Sequence, residues 1–204
     1  MVTVIGLGNP GSEYRDTRHN IGWMVLSACV EHHHLPTFTQ SSRYTALISE
    51  GEIEGEKVSV VLPTGYMNNS GISVQRYLKE RGVSDNFIVV HDDVDIPFGD
   101  IRISFDRGAG GHNGVQSIIH SCATKQFARI RVGIAQKSFL GVLKRPSGEA
   151  LSAFVLGKFT MSERDQLSTI YTKVNEALVL IIGKGVEYAM QEVNGGLDNI
   201  KTLE

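Results

Sequence analysis

The 204-residue chain is 41% hydrophobic and 21% charged, proportions of an ordinary folded domain that exclude a disordered or fibrous one. A net charge of −2 excludes a uniformly basic surface, so any contact with nucleic acid has to use a local basic patch. Cys29 and Cys122 stand apart without CxxC or zinc spacing, and no apolar run approaches the ~20 residues of a membrane span.

The amino terminus shows no charged segment followed by an apolar one, and enters at once a β-branched run, Val2 to Ile5, that reads as a buried strand. Together with the isolated cysteines this predicts a soluble protein of a reducing cytosol. The strand breaks at Gly6-Leu7-Gly8-Asn9-Pro10-Gly11, and a polar loop leads through Tyr14 to Thr17-Arg18-His19-Asn20. The spacing Gly6-x-Gly8-x-x-Gly11 matches the dinucleotide fingerprint, but that motif needs a helix opening within the glycines and an acid ending a second strand about 20 residues on. Here Pro10 suits a turn, helical spacing begins only near Asn20, and Glu31 lies in a helical run, so a nucleotide-dependent oxidoreductase is rejected.

Asn20 to Cys29 has helical spacing and ends in His32-His33-His34, whose side chains diverge and favour a charge at a helix carboxyl end over a shared metal. Tyr44 to Ile53 and Lys57 to Pro63 read as a hairpin about Glu54-Gly55-Glu56. A polar turn, 64–71, precedes a helix from Ile72 to Arg81 closed by Gly82. Phe87-Ile88-Val89-Val90 is a strand buried on both faces that delivers His91-Asp92-Asp93-Val94-Asp95 at its end. Ile101 to Phe105 alternates as a strand, Gly108 to Gly114 is a glycine-rich loop into a helix from Val115 to Cys122, and Ala128 to Ile134 is a strand with Arg129 and Arg131 on one face. Lys137 to Ala153 has no clear period. Ser162 to Ile182 reads as one long helix with Ser162 as N-cap, broken by Gly183 and Gly185 before a short final helix. The alternation predicts a single α/β domain over 1–204, with a mixed, mostly parallel central sheet flanked by helices and the helices of 162–194 packed on it.

The loops at successive strand ends collect Asn9, Tyr14 and His19; Tyr66, Met67 and Asn68; Asp92, Asp93 and Asp95; and His112 and Asn113. This set is rich in amides and lacks a serine or cysteine elbow and any HExxH. A histidine held by a carboxylate, with amide donors nearby, suits activation of water against an ester or amide carbonyl. Taken singly, Asn9 and Asn68 are ordinary turn formers and Asp92 an ordinary cap or surface acid; their joint occurrence favours chemistry.

Five ordered segments give the chain a family likeness: GLGNPGSEYRDTRHNIGW at 6–23, PTGYMNNSG at 63–71, HDDVDIPFG at 91–99, GGHNG at 110–114 and FARIRVGI at 127–134, with FVLGKF at 154–159 as a further fit. From end to end the sequence resembles bacterial peptidyl-tRNA hydrolases. The resemblance implies hydrolysis of the ester between a peptide and the terminal ribose of tRNA, by a cytoplasmic monomer that needs neither metal nor cofactor. It implies His19 as general base on water, Asp92 as the carboxylate that stabilises its protonated form, and Asn9 as the group that tells a blocked amino end from a free one. Tyr14, Tyr66, Met67, Asn68, His112 and Asn113 fall on positions that contact the tRNA or peptide, and Arg131 on one that holds the tRNA 5′-phosphate. The family's second cation for that phosphate is replaced here by Ser104, leaving Arg102 or Arg107 as its substitute. Val115-Gln116 stands where many members have Leu-Lys, and the segment 137–153 is longer than the family's loop. A relative that binds RNA without turnover is the alternative, and it predicts a damaged catalytic set.

Overall fold

A computed structural model describes residues 1–83, 87–137 and 142–200 of the chain. The elements are β1 (Val2–Gly6), α1 (Ile21–His32), β2 (Thr39–Ser41), β3 (Ala46–Ile53), β4 (Glu56–Pro63), α2 (Ser70–Arg81), β5 (Phe87–Pro97), β6 (Ile101–Phe105), α3 (Asn113–Cys122), β7 (Ala128–Lys137), β8 (Leu143–Lys144), α4 (Glu149–Val155), α5 (Met161–Arg164), α6 (Leu167–Lys184) and α7 (Val186–Ile200). The sheet runs β2-β3-β4-β1-β5-β7-β6, with β8 paired to β7. Its centre, β4-β1-β5-β7, is parallel, and antiparallel β3 and β6 flank it.

Period-two alternation separates the two faces. Val4, Val60, Ile88 and Val90 join a core with α1 and α6, whereas Ile5, Val61, Phe87 and Val89 join one with α2 and α3. Burial on both faces explains why these strands are continuous apolar runs. Since β4 and β5 lie on opposite sides of β1, the loops beyond their carboxyl ends diverge and leave a crevice, where open α/β sheets bind ligands.

The structure corrects several sequence expectations. The buried strand does not end at Val90: β5 stays in register with β7 through Asp93 (Asp93↔Gly133) and resumes at Pro97↔Ala135 after an irregularity. His91 and Asp92 are therefore fixed by ladder hydrogen bonds on the sheet. The expected helix from Ser162 to Ile182 is two helices, α5 and α6, and Thr160, not Ser162, is the N-cap of the first, forming a capping box with Glu163. Gly183 lies within α6, Gly185 (φ 87°) ends it, and the last helix has 15 residues and is not short. β3 begins at Ala46, since Thr45 has φ of 50°. Within 137–153, β7 continues to Lys137 and α4 begins at Glu149, while 138–141 lie outside the described residues. Among the histidines after α1, His33 Nε2 donates to Asn175 of α6 at 2.7 Å.

Close packing of α1 on the sheet positions the turn that carries His19. A methyl on Gly22 would collide with the Val90 carbonyl and lie 2.6 Å from that of Leu7. Gly8 faces the Trp23 ring at similarly short range, so both glycines serve helix–strand contact. Gly22→Ala is expected to cost about 1–3 kcal/mol, the range of overpacking, in urea unfolding. A loss below about 0.5 kcal/mol would show that α1 can move away freely and is not fixed there.

Candidate active site

Three chain segments converge on one carboxylate. His19 sits in a single 3-10 turn, Arg18–Asn20, that leads into α1. Its Nδ1–H donates to Asp92 Oδ1 at 2.9 Å. His112 Nε2–H donates to the same oxygen, also at 2.9 Å. His112 is the N-cap of α3, and its Nδ1 accepts from the Gly114 and Val115 N–H groups at 3.1 and 3.3 Å. Those two donors leave no room for a proton on Nδ1, so neutral His112 carries it on Nε2, aimed at Asp92. With Nδ1–H of His19 also committed, neutral His19 keeps a bare Nε2.

Burial alone would raise the Asp92 pKa, but the proximity and hydrogen bonds of His19 and His112 hold it far below the usual carboxylate range. Burial pulls the His19 pKa down, and the Asp92 charge and hydrogen bond outweigh it, leaving a net rise. His91 is fully buried and its Nδ1–H donates to the Asp92 carbonyl at 2.7 Å. Burial, then the proximity of His112, holds its pKa well below the ordinary value, so it stays neutral.

A second network fixes the first loop. Asn20 Oδ1 accepts from the Asn9 N–H and its Nδ2 donates to the Asn9 carbonyl, both at 2.9 Å. Asn9 Oδ1 accepts from the Met67 N–H at 2.8 Å, which turns its Nδ2 donors outward. Two clefts meet at His19. One is lined by Asn9, Tyr66, Met67, Asn68 and Asn113, the other by Asp92, Val94, His112 and Arg145, and Ser152 and Val155 of α4 wall both. Met67 is buried, whereas Tyr66, Asn68 and Asn113 are exposed.

Not every candidate joins this group. Tyr14 lines neither cleft; its carbonyl accepts from the Thr17 N–H and hydroxyl at 3.0 and 2.8 Å, closing the loop before His19. Asp93 lines the cleft beside Asp92 but pairs with Arg131 at 2.7 Å, and Asp95 pairs with Arg145 at 3.0 Å. Arg102 lies opposite Arg131 in the β6–β7 register, and its Nη1 donates to the Asn194 carbonyl of α7 at 3.1 Å. Arg107 is exposed on the loop after β6. Arg129 is buried opposite Ser104, donates to the Gly108 carbonyl at 2.8 Å and so pins the glycine loop. Burial, then Arg131 and Arg107, lower its pKa to about 10.

Three of the contacts are not disclosed by the sequence: it names Asn20 and Arg18 only as neighbours of His19, and His112 as a substrate contact and not as a partner of Asp92. The cap position before an apolar run at Val115 was the available signal for His112. Arg18 is buried and pairs with Glu163 at 2.7 Å, a separation of 145 residues that no local pattern reveals.

The ligand atoms of His19, Asp92 and His112 lie within 4.8 Å of one another, close enough to suggest a cation site among the described residues. The α3 cap argues against it. Metal at His112 Nε2 would require a proton on Nδ1, where two backbone N–H groups already point.

These shifts fix the sign of the pH dependence. Asp92 contributes stability above the unfolded carboxylate value of about 4, and the contribution is lost as pH falls toward its depressed folded value. His19 contributes below the unfolded imidazole value of about 6.5, and that part is lost as pH rises through its raised folded value. In Asp92→Asn only burial remains, so the His19 titration followed by NMR is expected to move from above to below about 6.5. An unmoved midpoint would show that Asp92 does not control the imidazole.

The sequence model of the family described as "Peptidyl-tRNA hydrolase" matches residues 3–202. The peptidyl-tRNA hydrolase of Syntrophotalea carbinolica is 37% identical over 196 residues, covering 95% of this chain and 97% of its own. That of Thermosynechococcus vestitus is 40% identical over 194 residues, covering 94% of this chain and 93% of its own. The crystal structure of peptidyl-tRNA hydrolase from Acinetobacter baumannii superposes with a TM-score of 0.85 at 31% identity, over 95% of this chain and 94% of that one. With the family model, sequence similarity and structural superposition agreeing along nearly its whole length, the chain belongs to the peptidyl-tRNA hydrolase family.

Proposed function

We propose that the chain hydrolyses the ester joining a peptide, or an N-blocked aminoacyl group, to the 3′-terminal ribose of tRNA, and so recycles peptidyl-tRNA dropped from ribosomes. The observation that carries this reading is the hydrogen-bond pattern of His19, with Nδ1–H on Asp92 and Nε2 left to take a proton where two clefts meet. Nε2 removes a proton from water as the water oxygen attacks the ester carbon. Asp92 stabilises the imidazolium that results. The amide donors of Asn68 and Asn113 lie on the same cleft and suit the charge that develops on the carbonyl oxygen. When the ester bond breaks, the imidazolium returns its proton to the ribose oxygen, and free tRNA and peptide leave. The substrate carries its own electrophile, so the residues supply one base, one acid partner and positioned amides.

Asn9 supplies discrimination. Its Nδ2 donors, fixed outward by the Met67 contact, suit the first peptide carbonyl, a group that aminoacyl-tRNA with a free amino end lacks. Met67 and Tyr66 supply an apolar wall for the terminal nucleotide or peptide. His112 acts through Asp92, donating to the same carboxylate oxygen as His19. Arg131 and the exposed Arg107 make the basic surface for the tRNA phosphates, and Tyr14 shapes the loop leading into the site. We take the protein to act as a monomer, as its family resemblance implies. The substrate arises in the cytoplasm, and we place the activity there.

The test is release of free tRNA from N-acetyl-aminoacyl-tRNA in the presence of EDTA. Wild type is expected to turn over, with a rate that rises with pH as His19 loses its proton. His19→Ala is expected to lose about 10²-fold or more while still binding tRNA. Equal activity of His19→Ala would end the general-base assignment, and tRNA binding without turnover by wild type would point to the non-catalytic relative. Arg107→Ala is expected to weaken tRNA binding and reduce the salt slope by about 1; an unchanged slope would remove Arg107 from the phosphate contact.

A further inference from the structure

Arg18, next to the base in the chain, points away from the clefts and is only 5% exposed. Its Nη2 pairs with Glu163 Oε2 at 2.7 Å, and Nη1 lies 3.5 Å from the Phe154 carbonyl at the end of α4. The guanidinium sits 4.6 Å from the Phe154 ring centroid and 5.6 Å from that of Phe159. Its backbone N–H donates to the Gly157 carbonyl at 3.0 Å, Thr17 bridges Lys158, and the Phe159 N–H donates to the Asp16 carbonyl at 3.3 Å. Gly157 is the neighbour that makes room, since a Cβ there would come within 3.1 Å of Nη1.

Glu163 is committed on every side. Oε2 also accepts from the Thr160 N–H at 2.7 Å, closing the capping box of α5, and Oε1 accepts from Gln136 Nε2 of β7 at 3.3 Å. The segment from α4 to α5 is thereby joined to the turn that carries His19 through a buried ion pair as well as the backbone bonds at Arg18, Thr17 and Asp16, and α4 supplies Ser152 and Val155 to both clefts. The pairing is costly to break, because removing one partner leaves the other buried and uncompensated.

We propose that Arg18, with Glu163 as its counter-ion, is a positioning residue that sets the distance of α4 from His19 and so the seating of the peptide arm against the base. The inference rests on the hydrolytic reading above. It acts on geometry and leaves the proton chemistry of His19 alone. Seating errors of the order of 1 Å cost up to about 10²-fold in rate, and the loss depends on which substrate atoms reach the displaced wall.

The test compares wild type with Arg18→Met, Arg18→Lys and Glu163→Gln on N-acetyl-aminoacyl-tRNA and on a tripeptidyl-tRNA. It adds hydrogen exchange of residues 149–157, which needs no activity. Glu163→Gln keeps a capping-box side chain and carries the test if Arg18→Met fails to fold. The expected result is a fall in kcat of about 10- to 100-fold that differs between the two substrates by about threefold or more. The pH midpoint should stay unchanged, α4 exchange should rise, and Arg18→Lys should recover part of the rate. A loss equal for both substrates would mark a merely structural role and overturn the proposal, as would wild-type kinetics in folded variants. If wild type itself turns over neither substrate, the hydrolytic reading fails, and unaltered exchange at 149–157 in the variants would then overturn the positioning role separately.

Discussion

One oxygen organises the site. Asp92 Oδ1 receives two imidazole N–H groups at 2.9 Å in a place where the carboxylate is only 3% exposed. A buried carboxylate costs several kcal/mol unless charge and hydrogen bonds compensate, so the position is tolerable only while both histidines stay in place. Each histidine is delivered by a different kind of local structure. His19 comes from a 3-10 turn feeding α1, and His112 from the cap of α3. Asp92 itself is part of β5, in register with Val132 of β7. A change in any of the three elements therefore reaches the other two through that oxygen.

The same arrangement fixes the tautomers of His112 and His19. Backbone donors at the start of α3 occupy His112 Nδ1, which leaves its proton on Nε2, facing Asp92, and Asp92 in turn accepts the Nδ1–H of His19. Donation converges on Asp92: helix N–H groups donate to His112, His112 donates to Asp92, and His19 Nδ1–H donates to Asp92 as well, which leaves His19 Nε2 bare. His91 packs against His112 with ring centroids 4.7 Å apart and stays neutral, so it adds no positive charge beside Asp92.

Placement of the amides obeys similar logic on the other side of the crevice. Asn20 clamps the Asn9 backbone through both amide atoms, and Met67 orients the Asn9 side chain, tying the loop after β1 to the turn after β4. Helix α4 closes the crevice opposite, joined to the base-bearing turn by the Arg18–Glu163 pair. The crevice is thus bordered by β1, β4, β5 and α3 loops on a rigid sheet, with α4 attached at the far wall.

Much of this was legible in the residues. Alternation and apolar runs marked β1, β4 and β5 because burial on two faces imposes a composition, and the motif segments marked His19, Asp92, Asn9, Asn68 and Asn113 as a group. The irregular part of β5 was not legible, because HDDVD looks like a polar loop until β7 supplies its hydrogen-bond partners. The split between α5 and α6 was available from Thr160-x-x-Glu163 but was masked by the more obvious serine at 162. Sequence by itself determined the fold class, the family likeness and which side chains are candidates for chemistry, since these depend on local periodicity and on residue type. Tertiary structure alone decided that His112 shares Asp92 with His19, that Asn20 holds Asn9, and that Arg18 finds Glu163, because each of those contacts joins residues far apart in the chain or depends on the direction of a single hydrogen bond.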